Sequence, residues 1–294
     1  MTETGFLLVL FFAALAVVVA AWPTGGPKQL QADEPLHALG YTPGDPLLDP
    51  DGRACSFSTT RSQTRVTFAC VVPGPLTVSP PPAELQGLPR ADKWLVRDGT
   101  EEEAERVLGA NWQPRLVQTG ATLCGVHEGV LRVVWDHRAN VEQLGGLLEN
   151  GRLIRDELED RRNQPLVEGG LTRTADELRG RWKGVEVAVL ALPHGYQIEA
   201  THAADLHALH KDRTDAVSTT NNPIADRLIW VEGTDRDRVL ANSAALESLL
   251  AVVHGHANSE VTPKHVFVTA ADDEVMATLD AVSALVMALQ EALS

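Results

Sequence analysis

The chain has 294 residues, 44% of them hydrophobic and 22% charged, a composition that can bury a core and excludes a disordered chain. Asp and Glu number 40 against 25 Lys and Arg, a formal charge of -15, so the cationic footprint of a nucleic-acid binder is missing. The same acidity gives no electrostatic hold on an anionic membrane surface, and any membrane association has to come from an inserted segment.

Such a segment opens the chain. Phe6 to Trp22 reads FLLVLFFAALAVVVAAW, seventeen residues without a polar or charged side chain apart from the indole N–H, at the short end of what spans a bilayer as a helix. Residues 1–22 are therefore expected to form a single-pass transmembrane anchor, with Trp22 at the interface. A cleaved signal peptide is the competing reading, because Val19 and Ala21 are small enough for a cleavage site, but the MTETG flank lacks the Lys or Arg of a secretory signal. The side of the membrane stays open: Lys28 favours a cytoplasmic C-terminal part, whereas a cysteine pair suits an oxidising compartment.

Residues 23–52 carry six prolines and five glycines and read as an extended tether. Beyond it the chain divides into two units, 53–162 and 163–294. In CSFSTTRSQTRVTFAC a hairpin register centred between Ser62 and Gln63 pairs Phe57 with Phe68 and Cys55 with Cys70 on one face. Cys55 and Cys70 then form either a disulfide or two buried thiols, and Cys124 is left as an odd third cysteine. The proline-rich stretch from Val71 to Arg90 reads as a connection inside the folded unit.

An internal duplication follows. WLVRDGT from Trp94 matches LIWVEGT from Leu228, and LRVVWDHRANVEQL from Leu131 aligns with HVFVTAADDEVMAT from His265, both at an offset of 134 residues. The hairpin of Ser56 to Val72 has a counterpart in VEVAVLALPHGYQIEATH from Val185 to His202. Thr100 with Glu103, and Thr234 with Asp237, have the spacing of helix N-caps. Val275, Leu279, Val282, Val286, Leu289 and Leu293 form an apolar stripe at helical spacing, as Val141, Leu144, Leu148, Ile154 and Leu158 do less regularly. Gly145, Gly146 and Gly151 interrupt that earlier helix, each costing about 1 kcal/mol relative to alanine, and close packing would compensate. The expected fold is α+β: an N-terminal transmembrane helix followed by two pseudo-repeated lobes, each hairpin-strand-helix-strand-helix.

Chemistry-bearing residues concentrate in THAADLHALH, where His202, Asp205, His207 and His210, joined by His254 and His256, have ligand types suited to zinc. On a helix His207 and His210 would share a face, yet no HExxH pattern supplies a general base, and solvated histidines are the plainer reading. Cys124, His127 and Glu128 are neighbours in sequence, which does not make a triad, and Cys124 reads as a turn residue. No P-loop, GxGxxG or calcium-loop spacing occurs. Trp94 and Trp230 are expected in the cores. The function expected is that of a membrane-anchored binding or interaction module, held by residues 6–22, without a cofactor, taking another protein or a small-molecule ligand and no nucleic acid. The alternative is a membrane-anchored metal-dependent hydrolase that uses zinc at the histidine-rich segment.

Overall fold

The computed structural model describes residues 33–81, 94–109, 112–174, 177–214, 223–256 and 258–294. The anchor at 1–22, the first part of the tether and residues 82–90 of the proline-rich connection lie outside the described residues. The chain divides into two compact units, Met1–Arg162 and Asn163–Ser294. The architecture is mixed α+β, with two antiparallel sheets and eight α-helices among the described residues.

Unit 1 runs α1 (Asp33–Ala38), β1 (Leu47–Leu48), β2 (Ala54–Thr59), β3 (Thr64–Ala69), β4 (Leu76–Ser79), β5 (Leu95–Asp98), α2 (Glu101–Leu108), α3 (Trp112–Thr119), β6 (Leu123–His127), β7 (Val130–Trp135) and α4 (Val141–Glu168), the last helix crossing the division. Its sheet order is β1-β2-β3-β7-β6-β4-β5. Unit 2 runs β8 (Thr172–Arg173), β9 (Leu178–Trp182), β10 (Val185–Leu192), β11 (Gly195–Thr201), β12 (His207–His210), α5 (Pro223–Leu228), β13 (Ile229–Glu232), α6 (Arg236–Ala241), α7 (Ser243–Val253), β14 (Ser259–Val261), β15 (His265–Ala270) and α8 (Val275–Leu293). Its sheet order is β8-β9-β10-β11-β15-β14-β12-β13. Read from each hairpin, β2-β3-β7-β6-β4-β5 and β10-β11-β15-β14-β12-β13 follow one path, with helices after the corresponding strands.

Part of the expected tether is folded. Leu36, Tyr41, Leu47 and Asp49 are buried in unit 1, and β1 pairs with β2. The segment after β1 is held by charge: Asp49 accepts from the amides of Asp51 and Arg53 and is ion-paired to Arg155 of α4, which is 1% exposed. Arg53 makes a two-point contact with Glu159 at 2.7 and 2.6 Å, and Glu159 also accepts from the Val71 amide. Buried charges of this kind persist only when paired and hydrogen-bonded.

The hairpin is displaced from the expected register. Cys55 lies opposite Phe68 and Phe57 opposite Val66, two residues from the sequence-based pairing. A shift of two preserves the face, so Cys55, Phe68 and Cys70 all stay buried. It also moves Cys70 from directly opposite Cys55 to a diagonal position, where spacings of about 7–8 Å exceed the Cα–Cα reach of a bridge, about 4.4–6.8 Å. The three cysteines are buried free thiols. Cys124 is a strand residue in β6 rather than a turn residue.

The two Gly-Thr pairs end their strands alike and then diverge. Gly99 and Gly233 have φ of +87° and +129°, and a Cβ would lie 3.1 Å from the Pro75 carbonyl oxygen and 2.2 Å from that of Asp205, respectively, conditions only glycine meets. Thr100 then builds a full capping box with Glu103. Thr234 does not cap: its hydroxyl donates to Asp205 at 2.6 Å, and the N-cap of α6 is Asp235. In β5 a bulge sets Thr77 opposite Asp98 but Val78 opposite Val96. That extra residue means the gapless match places Trp94 and Trp230 on different faces: Trp94 is buried at 4% exposure, whereas Trp230 lies on the outer face of its sheet.

Among the described residues one helix, Val275–Leu293, is long and apolar enough to cross a membrane by length and composition. Half of it is buried, and Leu279, Val282, Leu285, Val286 and Leu289 pack into the unit 2 core with Ile198, Val266 and Val268.

The glycines of α4 divide by environment. A Cβ on Gly151 would stand 2.4 Å from the Phe68 ring and one on Gly145 2.5 Å from Leu39, whereas Gly146 has nothing within 4 Å. Gly151→Ala is expected to destabilise by about 1–3 kcal/mol through overpacking, and Gly146→Ala to stabilise by about 0.5–1 kcal/mol through helix propensity, both read from urea unfolding midpoints. Burial pushes the Cys55 and Cys124 thiols up to about 12 and the Cys70 thiol up to about 11. At neutral pH the native chain should leave a thiol reagent unreacted, and denaturation without reductant should release three equivalents, against one for a Cys55–Cys70 bridge.

Candidate functional site

The histidine-rich segment is spread over a strand and its flanks. β12 begins at His207 and ends at His210, an odd separation that sends the two side chains to opposite faces of the sheet. On the outer face, His207 Nε2 lies 3.1 Å from Glu260 Oε1, and its ring meets Trp230 edge-on with centroids 5.1 Å apart. On the other, His210 Nε2 lies 3.0 Å from His254 Nδ1. His210 Nδ1 accepts from the Asp212 amide, so Nε2 carries the proton and donates. Rings only 10° from parallel, with their nitrogens in contact, describe an end-on N–H···N bond. With its proton on Nε2, His210 has no lone pair on that nitrogen to offer a metal, and its other ring nitrogen is taken by the Asp212 amide.

His202 follows β11 and is 8% exposed, its Nδ1 accepting from the Ala204 amide. Asp205 receives the Thr234 hydroxyl and donates its own amide to Asp235. The four residues proposed from the sequence are thus held by four different local partners. Among the described residues no group of three or more His, Cys, Asp and Glu side chains is placed to hold a metal ion.

A concave site occurs instead on unit 1, between α3 and α4. It is a groove of about 330 Å³ lined by Leu108, Trp112, Leu116, Leu153, Ile154 and Leu158 among others, at the lower end of the roughly 300–1,000 Å³ of small-molecule sites. Trp112 is buried and packs edge-on against Trp94, with centroids 6.2 Å apart. Leu153 is 53% exposed. Arg115 and Glu157 are ion-paired across the lining, and Gln118, Thr119 and Asn150 add neutral polar groups. At the end of α2, Gly109 sits against the Arg161 guanidinium, which donates to Glu157 at 3.2 Å.

In unit 2 the second helix after β13 is longer than α3: α7 has 11 residues and α3 has 8. Ala245, Leu249, Val252 and Val253 of α7 are each 0% exposed in the core shared with α8. Sequence reasoning missed the groove because its residues carry no motif. The available signal was Leu153, an apolar residue beside Ile154 but off the buried stripe.

Burial holds the His202 imidazole below its ordinary value of 6.5, with the backbone at His265 and Thr262 opposing. The unfolded chain therefore binds this proton at higher pH than the folded one. The contribution to stability is complete above about pH 6.5 and declines as pH falls through and below that value. His202→Gln should remove that part of the slope, seen as converging urea midpoints of the two proteins between neutral and mildly acidic pH.

No protein-family model matches the chain, and no curated protein is significantly similar to it. Among solved structures, the crystal structure of the mycobacterial trehalose monomycolate transport factor A, TtfA, is similar over 42% of this chain and 74% of that chain, at 13% identity and a TM-score of 0.26. A likeness at that level carries no argument about function.

Proposed function

We propose that the chain is a membrane-tethered binding module, anchored through residues 6–22, whose unit 1 groove takes a small, neutral, apolar ligand. The observation that carries this reading is an open apolar groove of about 330 Å³ in which Leu153 stays 53% exposed beside buried Trp112. Leaving half of such a side chain in water forgoes half of the roughly 1.5–3 kcal/mol that full burial of a leucine gains, and an occupant recovers it. Arg115 and Glu157 neutralise each other, so the lining asks for no charge on the ligand, while Gln118, Thr119 and Asn150 suit a neutral polar group at its end.

The two units are further proposed to be copies of one module. Their shared strand path and the Gly-Thr turns after β5 and β13 support this. On this reading the copies have diverged in their helices: one pair stays closed around the core and the other opens into the groove.

The test uses the full chain in lipid nanodiscs with the neutral fluorophore N-phenyl-1-naphthylamine. A saturable component near one equivalent is expected above the linear partition into empty discs. It should fall at least tenfold in Leu153→Arg and persist in Met287→Arg, a residue equally exposed at 53% but on α8. Absence of saturation, or equal loss in both variants, overturns the proposal.

A further inference from the structure

The helices of unit 2 cover one face of its sheet, where Val187, Ile198, Val266, Val261 and Ala208 are buried. The opposite face carries a row of directly paired residues. Arg179 of β9 lies opposite Ala188, Ala188 opposite Glu199, Glu199 opposite Phe267 and Phe267 opposite Glu260. Being cross-strand partners, all five project from the same face.

The row is self-complementary about Glu199. Phe267 stands one strand to one side and Ala188 one strand to the other, each about 4.8 Å away; Glu260 and Arg179 stand two strands to either side. The small side chain of Ala188 leaves a depression of about 290 Å³, walled by Arg179, Arg181, Glu186, Glu199 and Thr201. Phe267 is its counterpart in shape, a half-buried ring steadied by His265 at a centroid distance of 5.7 Å. A two-fold axis parallel to the strands, lying midway between two facing sheets and passing over Glu199, sets Phe267 of one copy over Ala188 of the other and Glu260 over Arg179. It places a ring over a hollow and a carboxylate over a guanidinium, twice. Glu199 itself is turned to its own His265, at 2.7 Å.

We propose that this face is the docking surface for a second copy of the chain, Phe267 of each copy entering the depression over Ala188 of the other and Arg179 of each meeting Glu260 of the other. Two sheets packed this way form an isologous interface, in which one patch serves both partners. Charge favours a second copy over an unrelated partner, because both signs lie at matching distances from one point of a chain whose net charge is -15.

The test is cross-linking of the full chain in membranes with a bis-maleimide that spans the roughly 10 Å between packed sheets, with Glu199→Cys placing a thiol beside the axis. The native thiols are buried, so only the new one reports. A cross-linked dimer is expected, reduced at least tenfold by Ala188→Trp, which fills the depression, and by Arg179→Glu or Glu260→Arg alone. Combining Arg179→Glu with Glu260→Arg should restore it, an outcome that misfolding cannot produce. No cross-link from the introduced thiol once maleimide labelling has shown it to be accessible, or no recovery in the combined variant, overturns the proposal.

Discussion

A β-strand sends successive side chains to opposite faces, and with helices on one face of a sheet that alternation decides what each residue of this protein can do. In unit 2 the rule lines up Val187, Ile198, Val266 and Val261 beneath α7 and α8 and leaves Ala188, Glu199, Phe267 and Glu260 on the other face. It also divides the histidine-rich segment. His207 turns out toward Glu260 and Trp230, while His210, three residues on, turns to the opposite side and meets His254. Residues that a helix would have gathered are separated by the strand.

Unit 1 combines its apolar core with a second kind of constraint. Arg155 and Glu159, one turn apart on α4, are almost fully buried and reach the segment just after β1 through Asp49 and Arg53. Arg155 also lies over the Phe68 ring, 5.7 Å from its centroid, and Gly151 admits the same ring from the preceding turn. These contacts join the N-terminal segment, the hairpin and the helix at one place. Charges removed from water tolerate little displacement, because each would be left unpaired in a medium that cannot solvate it. The segment between the expected anchor and the first sheet is therefore part of the fold from residue 36 onward.

The groove and the open sheet face arise from the same limit on covering. Each sheet needs one face buried to be stable, and the helices supply that and little more. Where α3 stops short, apolar side chains of α4 remain in water; where no described helix of unit 2 covers the second face of its sheet, a ring and a hollow remain. Both surfaces join residues far apart in the chain, and this is why neither announced itself as a motif.

Much of the fold was legible in the sequence. Local periodicity and turn chemistry decide where strands and helices begin, so the two hairpins, the Thr100 cap and the stripe of α8 could all be read in advance. What the sequence could not carry was register and partnership. The hairpin shift of two residues, the bulge in β5 and the outward turn of Trp230 each depend on which strand lies alongside, a long-range choice invisible to a local pattern. The same holds for the candidate sites. His202 to His210 looked like a cluster because they are neighbours in the chain, whereas the groove joins Trp112 to Leu153 and the sheet face joins Arg179 to Phe267 only through tertiary packing. Sequence proximity determined the residue types available; the alternation of the strands and the lengths of the helices decided which of them meet.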